Sequence, residues 1–223
     1  MNQRFASFRD MPKIPNNIIV KLAMDESDDA QELWKLLKYT STDALSKVNL
    51  SFDEKMDIVW TPERVTSTRT QDTFNVFTKP LVPSSLNTSE SQTQLKIYRY
   101  KNTALTQYES VLLYEFDLIV NESSCMVRTL DGILVEKTDY MEMLLINLLN
   151  GLDLGVGVNF LRFDRTMGGN CESLLNINNS KSLYGRSFLL MLRYIDNSLG
   201  GECNGWYWTI RIIILSKRWA YTI

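Results

Sequence analysis

Apolar positions change their spacing along this chain, from intervals of three and four in the first sixty residues to alternation beyond Gln94. The change predicts a helical front followed by a sheet-forming body. Leu33, Trp34, Leu36 and Leu37 supply one side of a helix, and Asp29 with Glu32 has the spacing of a capping box ahead of it. Ser51 with Glu54 forms a second box before Met56, Ile58, Val59 and Trp60, and Pro62 is expected to stop that helix. Upstream, Phe5, Phe8 and Met11 sit in a polar arm that Pro12 and Pro15 keep from being one helix. Residues 1–62 therefore read as an arm with two or three short helices.

From Thr61 to Gln94 the composition shifts to Thr, Ser, Asn and Pro, which predicts a long loop. Phe74, Val76, Phe77, Leu81 and Val82 are its candidate anchors, either within a short strand or against another subunit.

The second half carries the sheet. LKIYRY (95–100) alternates, and VLLYEFDLIV (111–120) is a longer strand apolar on both faces, with KNTALTQYES as the turn or wide hairpin between them. Asp131-Gly132 marks a further turn, within a short strand or hairpin from Cys125 to Leu134. Thr138 and Asp139 are candidate caps for a helix ending near Asn150, with Met141, Leu144, Leu145, Leu148 and Leu149 on its apolar face and Gly151 as its left-handed exit. A strand is expected from Val158 to Asp164. The polar loop TMGGNCESLLNINNSKS follows, and then a strand from Arg186 to Ile195 with Phe188, Leu190, Leu192 and Tyr194 on one face. The expected fold is α+β, a mainly antiparallel sheet with one central helix packed on it, preceded by two or three short N-terminal helices. The chain divides into a helical segment 1–62, an extended loop 63–94, a core 95–197 and a strand-forming extension 198–223.

Composition narrows the chemistry more than the fold. None of the 223 residues is histidine, which excludes Ser-His-Asp and Cys-His mechanisms and the histidine-containing zinc sites. Cys125, Cys171 and Cys203 contain no CxxC pair and read as reduced, small apolar residues. A net charge of −2 argues against a strongly basic nucleic-acid surface and leaves room for a local basic patch. Neither a secretory signal nor a membrane-spanning run is evident, so no membrane role is expected. The acidic group Asp25, Glu26, Asp28 and Asp29 reads as a solvated helix start rather than a calcium loop, because the glycine and terminal glutamate of such a loop are missing. Gly155 and Gly157 lie between a helix and a strand, the reverse of the order that a dinucleotide fingerprint needs. No cofactor is expected.

Two constellations remain. Glu115 and Asp117 project from one strand face and could share a metal with Asp131 or Asp164, the arrangement of a nuclease. The simpler reading makes them a polar edge, a ring lumen or a subunit contact facing Arg128, Arg162 or Arg193. Arg162, Asp164 and Arg165 could clamp a phosphate or form ion pairs across a subunit boundary, and strand-end charges more often do the latter.

The succession LKIYRY, LYEFDLIVN, LLNGLDLG with LRFDR, and SLYGRSFLLMLRYIDN resembles the neck and tail-completion proteins of tailed bacteriophages, the tail terminators and head-tail connectors. WKLLKYTSTDALSK and SFDEK resemble their helical front end. The blocks span roughly Trp34 to Asn197 and are structural rather than catalytic. The resemblance implies a virion protein, not an enzyme, assembled in the host cytoplasm as a sixfold or twelvefold ring. Its implied partners are a portal or adaptor ring on one side and the tail tube or hub on the other, with DNA passing through the lumen. It makes the loops before Gln94 and after Arg165 the contact arms. Phe74, Phe77, Leu81, Arg162, Asp164, Arg165, Trp206 and Trp208 are the candidate contact residues. A metal-dependent phage nuclease and a host-binding adaptor are the alternatives. The tail SLGGECNGWYWTIRIIILSKRWAYTI lies outside the resemblance; apolar on both sides as a strand, it is expected to insert in the sheet or dock on a neighbouring subunit.

Overall fold

The computed structural model describes residues 8–79, 92–106, 109–154, 161–163, 173–176 and 183–195. The expected α+β architecture is present. Helix α1 (Ile14–Met24) starts with Pro15 in its first turn, where a missing N–H costs nothing. Helix α2 (Asp28–Lys38) buries Leu33, Trp34, Leu36 and Leu37, and α3 (Phe52–Asp57) is a single short turn and a half. Buried polar side chains tie these helices together. Trp34 Nε1 donates to the Leu22 carbonyl at 2.9 Å, and the Gln31 amide exchanges bonds of 3.0 and 3.3 Å with the Leu50 backbone. The buried Lys55 ammonium donates to the carbonyls of Ala23 and Asp25, at the end of α1 where the helix dipole favours a cation.

Strands β1 (Val76–Phe77), β2 (Thr93–Ala104), β3 (Glu109–Asn121), β6 (Ser173–Asn176) and β7 (Leu183–Ile195) form one sheet in the order β1-β2-β3-β7-β6. Among the described strand pairings of this sheet β1-β2 is parallel and the others are antiparallel. Strands β4 (Met126–Arg128) and β5 (Leu134–Glu136) form a separate hairpin, and Gly132 at its tip has φ +88° as the Asp-Gly signal requires. At Gly185 a side chain is excluded for a different reason, since a Cβ there would collide with the carbonyl oxygen of Leu118 in β3.

Helix α4 (Lys137–Leu149) lies across β3 and β7 and also meets α2. Below it, Leu95, Ile97, Leu112, Tyr114, Phe116, Leu118, Phe188, Leu190 and Leu192 share one sheet face and one core with Ile14, Ile18, Trp34, Leu144 and Leu145. Phe116 and Phe188 stack with centroids 5.1 Å apart, and both are fully buried. Burial of each such large side chain contributes roughly 1.5–3 kcal/mol. The helical front and the sheet thus share a single core.

Several expected boundaries shift, each because tertiary contacts win. Ser27, not Asp29, caps α2, its hydroxyl accepting from Ala30 N at 3.4 Å; Glu32 accepts from the Tyr140 hydroxyl at 2.6 Å instead of reaching back. The Ser51–Glu54 box forms in full, but its helix ends at Asp57, well before Pro62. Ile58 to Trp60 turn away to pair with the loop: Trp60 N donates to Val76 O at 2.8 Å, and Asn75 N and Val76 N donate to Ile58 O. Helix α4 begins one residue early at Lys137, whose N–H donates to Cys125 O, and no side chain caps it. Gly151, at φ +92°, terminates the helix as expected. The polar loop 166–182 contains strand β6. Of the strand expected from Val158 to Asp164, residues 161–163 are described, and they make a single antiparallel bridge, Arg162 with Met191.

Candidate functional site

Alternation along three strands places a second set of side chains on the sheet face turned away from α4. The register sets Lys96 opposite Asp117 and Asp117 opposite Ser187, and sets Tyr98 opposite Glu115. Phe77 stands beside Lys96 on β1, and Ser173 stands opposite Ser187 on β6, so one row crosses all five strands. Lys96, Asp117 and Ser187 are each less than a tenth exposed. Phe77, Val111, Leu113 and Ile119, on the same face, are equally buried yet lie outside the core beneath α4.

Hydrogen bonds close a portion of this network. The Tyr98 hydroxyl donates to Asp117 Oδ2 at 2.9 Å, and the Ser187 hydroxyl donates to Glu115 Oε1 at 2.7 Å. Asp117 Oδ1 and both amide atoms of Gln94 are buried without a protein hydrogen-bond partner. Burial pushes the Asp117 carboxyl above its usual range, and the Glu115 charge adds to the shift against the opposing pull of Tyr98 and Lys96. Burial likewise lowers Lys96, with Asp117 opposing. The Tyr98 hydroxyl is held protonated by burial first and then by the Asp117 charge. Such a row cross-links strands and fixes their register, because a one-residue slip would set these groups in the apolar core. As a metal centre it falls short: among the described residues no three Asp, Glu or Cys side chains are grouped to hold a cation.

The sequence-predicted residues do not converge. Phe74 and Phe77, expected as contacts or loop anchors, are fully buried within the chain itself, which leaves them no surface for a partner. Arg69 stacks its guanidinium 4.4 Å from the Phe74 ring, and Lys79 lies 3.6 Å from the Trp60 ring. Arg162 is exposed, its backbone bonded both ways to Met191 at 2.9 and 2.8 Å. Leu81, Asp164, Arg165, Trp206 and Trp208 lie outside the described residues, as do Gly155 and Gly157. Asp131 is on the β4-β5 hairpin and close to Tyr140, apart from the Glu115 and Asp117 row. Arg186 reaches from β7 to Glu136 and Glu142 at 3.6 and 3.8 Å and also pairs with Asp139, fastening α4 to the sheet.

Two features have weaker sequence signals. Lys96 and Tyr98 are legible as the polar partners of Glu115 and Asp117 once LKIYRY is read with the same period of two. Leu130, Ile133 and Leu134 flank the Asp-Gly turn and are 72, 58 and 50 % exposed, an apolar tip on an ordered hairpin. The hairpin is braced by Arg128, which donates to the Gly132 carbonyl at 3.1 Å, and by Thr129 N, which donates to the Ile133 carbonyl at 2.8 Å. No helix among the described residues is long and apolar enough to cross a membrane. Comparison with protein-family models, with curated proteins and with solved structures gives no match to this chain.

Proposed function

We propose that this chain is a structural virion protein of a tailed phage, a ring subunit in the neck between portal and tail. The observation that carries the reading is the arrangement of the resembling blocks. LKIYRY and LYEFDLIVN lie on the adjacent strands β2 and β3, residues 183–195 of SLYGRSFLLMLRYIDN form β7 beside β3, Leu148 and Leu149 of LLNGLDLG end α4, and Arg162 of LRFDR pairs with Met191 of β7. Four separate stretches of resemblance thus meet in one module. The chemistry agrees, since Glu115 and Asp117 are each engaged by a hydroxyl donor within the sheet.

In this role the sheet and α4 form a rigid body and the surface elements make the couplings. The copies surround the axis, one rim meeting the portal or an adaptor ring and the other the tail tube or hub. A head-to-tail contact repeated by rotation closes a ring without growing a filament. The test is the full-length protein's mass and shape, alone and added to purified portal. A closed ring of about six or twelve copies is expected. A chain that stays monomeric at high concentration, fails to join portal and is missing from purified particles overturns the reading.

A further inference from the structure

Lys137 stands where several parts of the chain meet: directly after β5, at the first position of α4, beside the exit of α2 and the start of β2. It is 1 % exposed, and its amine donates to the Tyr39 carbonyl at 2.9 Å and to Thr93 Oγ1 at 2.7 Å. Together with the bond from Arg128 N to Thr42 O at 2.8 Å, the first of these ties the segment leaving α2 to the body of the protein. Water reaches much of that segment, since residues 41–43 and 46–49 are exposed.

The charge state of the amine follows from its partners. An ammonium brings three N–H donors and a neutral amine two; among the described residues Lys137 meets two acceptors, neither of them charged. The carboxylates on the surrounding elements are engaged elsewhere or exposed. Asp43, beyond α2, pairs with Lys47 at 2.8 Å; Glu136 on β5 and Asp139 and Glu142 on α4 pair with Arg186; Glu122, in the turn after β3, is exposed. The nearby cations are likewise turned away. Lys38 pairs with Glu54, Lys35 donates to the Leu45 carbonyl, and Lys96 lies on the other face of β2. Tyr39 and Cys125, also titratable, meet Lys137 through their carbonyls. Burial alone therefore acts on the amine, and it lowers the pKa from 10.5 to about 7.

We infer that the neutral Lys137 amine is the pin of a proton-linked clasp, which holds the exit of α2 against the start of β2 and loosens when it takes up a proton. An open clasp exposes the amine, which then titrates near its ordinary 10.5, so opening binds a proton throughout the interval from about 7 to 10.5. The clasp tightens as pH rises through that interval and is indifferent to pH below it, where both forms are charged. Because the pin sits at the exposed rim of the core, the junction opens while β3 and β7 stay paired.

The test is amide hydrogen exchange of the full chain, resolved by residue and corrected for the intrinsic rate at each pH. The amides of Arg128 and Lys137, bonded to Thr42 O and Cys125 O, should exchange faster than Phe116 at the centre of β3 and gain at least tenfold protection between pH 7 and 9. Lys137→Met, which fills similar space without a proton to bind, should leave the protection at Arg128 flat across that range. In the unaltered chain the NMR shift of the Lys137 ε-carbon should titrate near neutrality, a signature that a merely structural lysine would not give. A side chain that stays charged up to pH 9 overturns the clasp. Junction amides that open only with the whole sheet, or whose protection ignores pH, overturn it equally. The ring reading stands apart from all of these outcomes, since the clasp makes no use of it.

Discussion

The two faces of the central sheet are built from the same strands and both contain buried rows, yet the face under α4 is almost wholly buried and apolar while the other mixes buried charges with half-buried Tyr98 and Glu115. Beneath α4 the residues are Leu, Ile, Tyr and Phe, with Phe116 stacked on Phe188 and the helical front packed into the same core. On the other face a row of Lys96, Asp117 and Ser187 crosses the strands between apolar neighbours. The apolar face gains stability from area removed from water. The polar face gains little net energy, because desolvating Lys96 and Asp117 offsets their attraction, but it makes one register much better than its neighbours. One face supplies stability and the other supplies specificity.

The strongest attack on this contrast is Phe116→Ala. It removes a fully buried stacked ring and should cost about 3–5 kcal/mol, read from urea unfolding. A loss below about 1 kcal/mol would mean that the helix-covered face is not tightly packed.

On the polar face, Lys96→Met alone should cost about 1–3 kcal/mol, since it leaves Asp117 buried without its facing cation. Adding Asp117→Leu should recover most of that loss, because a matched apolar pair replaces a matched charged one. Thermal melts of the singles and the double give the coupling. Strict additivity would show that the two side chains do not sense each other.

Lys137 sharpens the comparison from the apolar side, where it is a polar intruder at the rim. Its amine is almost fully buried and donates to Tyr39 O and Thr93 Oγ1, at 2.9 and 2.7 Å. Burial lowers its pKa from 10.5 to about 7. Between those values the unfolded chain binds more protons than the folded one, so stability should rise as pH increases from about 7 to 10.5. Lys55 and Lys96, also lowered by burial, add slope of the same sign, so the measurement is a difference. Lys137→Met should remove up to about 1.4 kcal/mol per pH unit from the slope in this window. Equal slopes in both proteins would refute the assignment.

The smallest effect lies on neither face. Ser51→Ala breaks the capping box of α3 and should cost about 0.5–2 kcal/mol, with no change in the Lys96–Asp117 coupling. A changed coupling would show that the helical front and the polar face are not independent.

How far the sequence reached follows from how local each signal is. The Ser51–Glu54 box, the Asp131-Gly132 turn and the Gly151 helix exit each involve a few adjacent residues, and all three form as read. The stretch read as a strand apolar on both faces is β3, which the fold sets at the centre of the sheet, a position that its local pattern does not assign. Helix α3 ended early because Ile58 to Trp60 found backbone partners in a loop, a contact no local pattern encodes. Strand β6 was hidden because SLLN is too short to show a period and depends on pairing with β7. Of the candidate site, Glu115 and Asp117 were visible as a same-face pair, while Tyr98 and Ser187 became their donors only once the strands aligned. Phe74 and Phe77 were recognised as anchors, but the sequence left their partner open, and the fold placed it within the chain.

Periodicity, capping and turn chemistry were set by the sequence itself, because each depends on side chains within a few residues acting on their own backbone. It also removed histidine chemistry altogether. Tertiary structure alone decided which face of each strand meets the helices, which charges are buried opposite one another, and that an apolar hairpin stays exposed. Those outcomes depend on contacts between residues far apart in the chain, and their energies exist only after the chain has closed on itself.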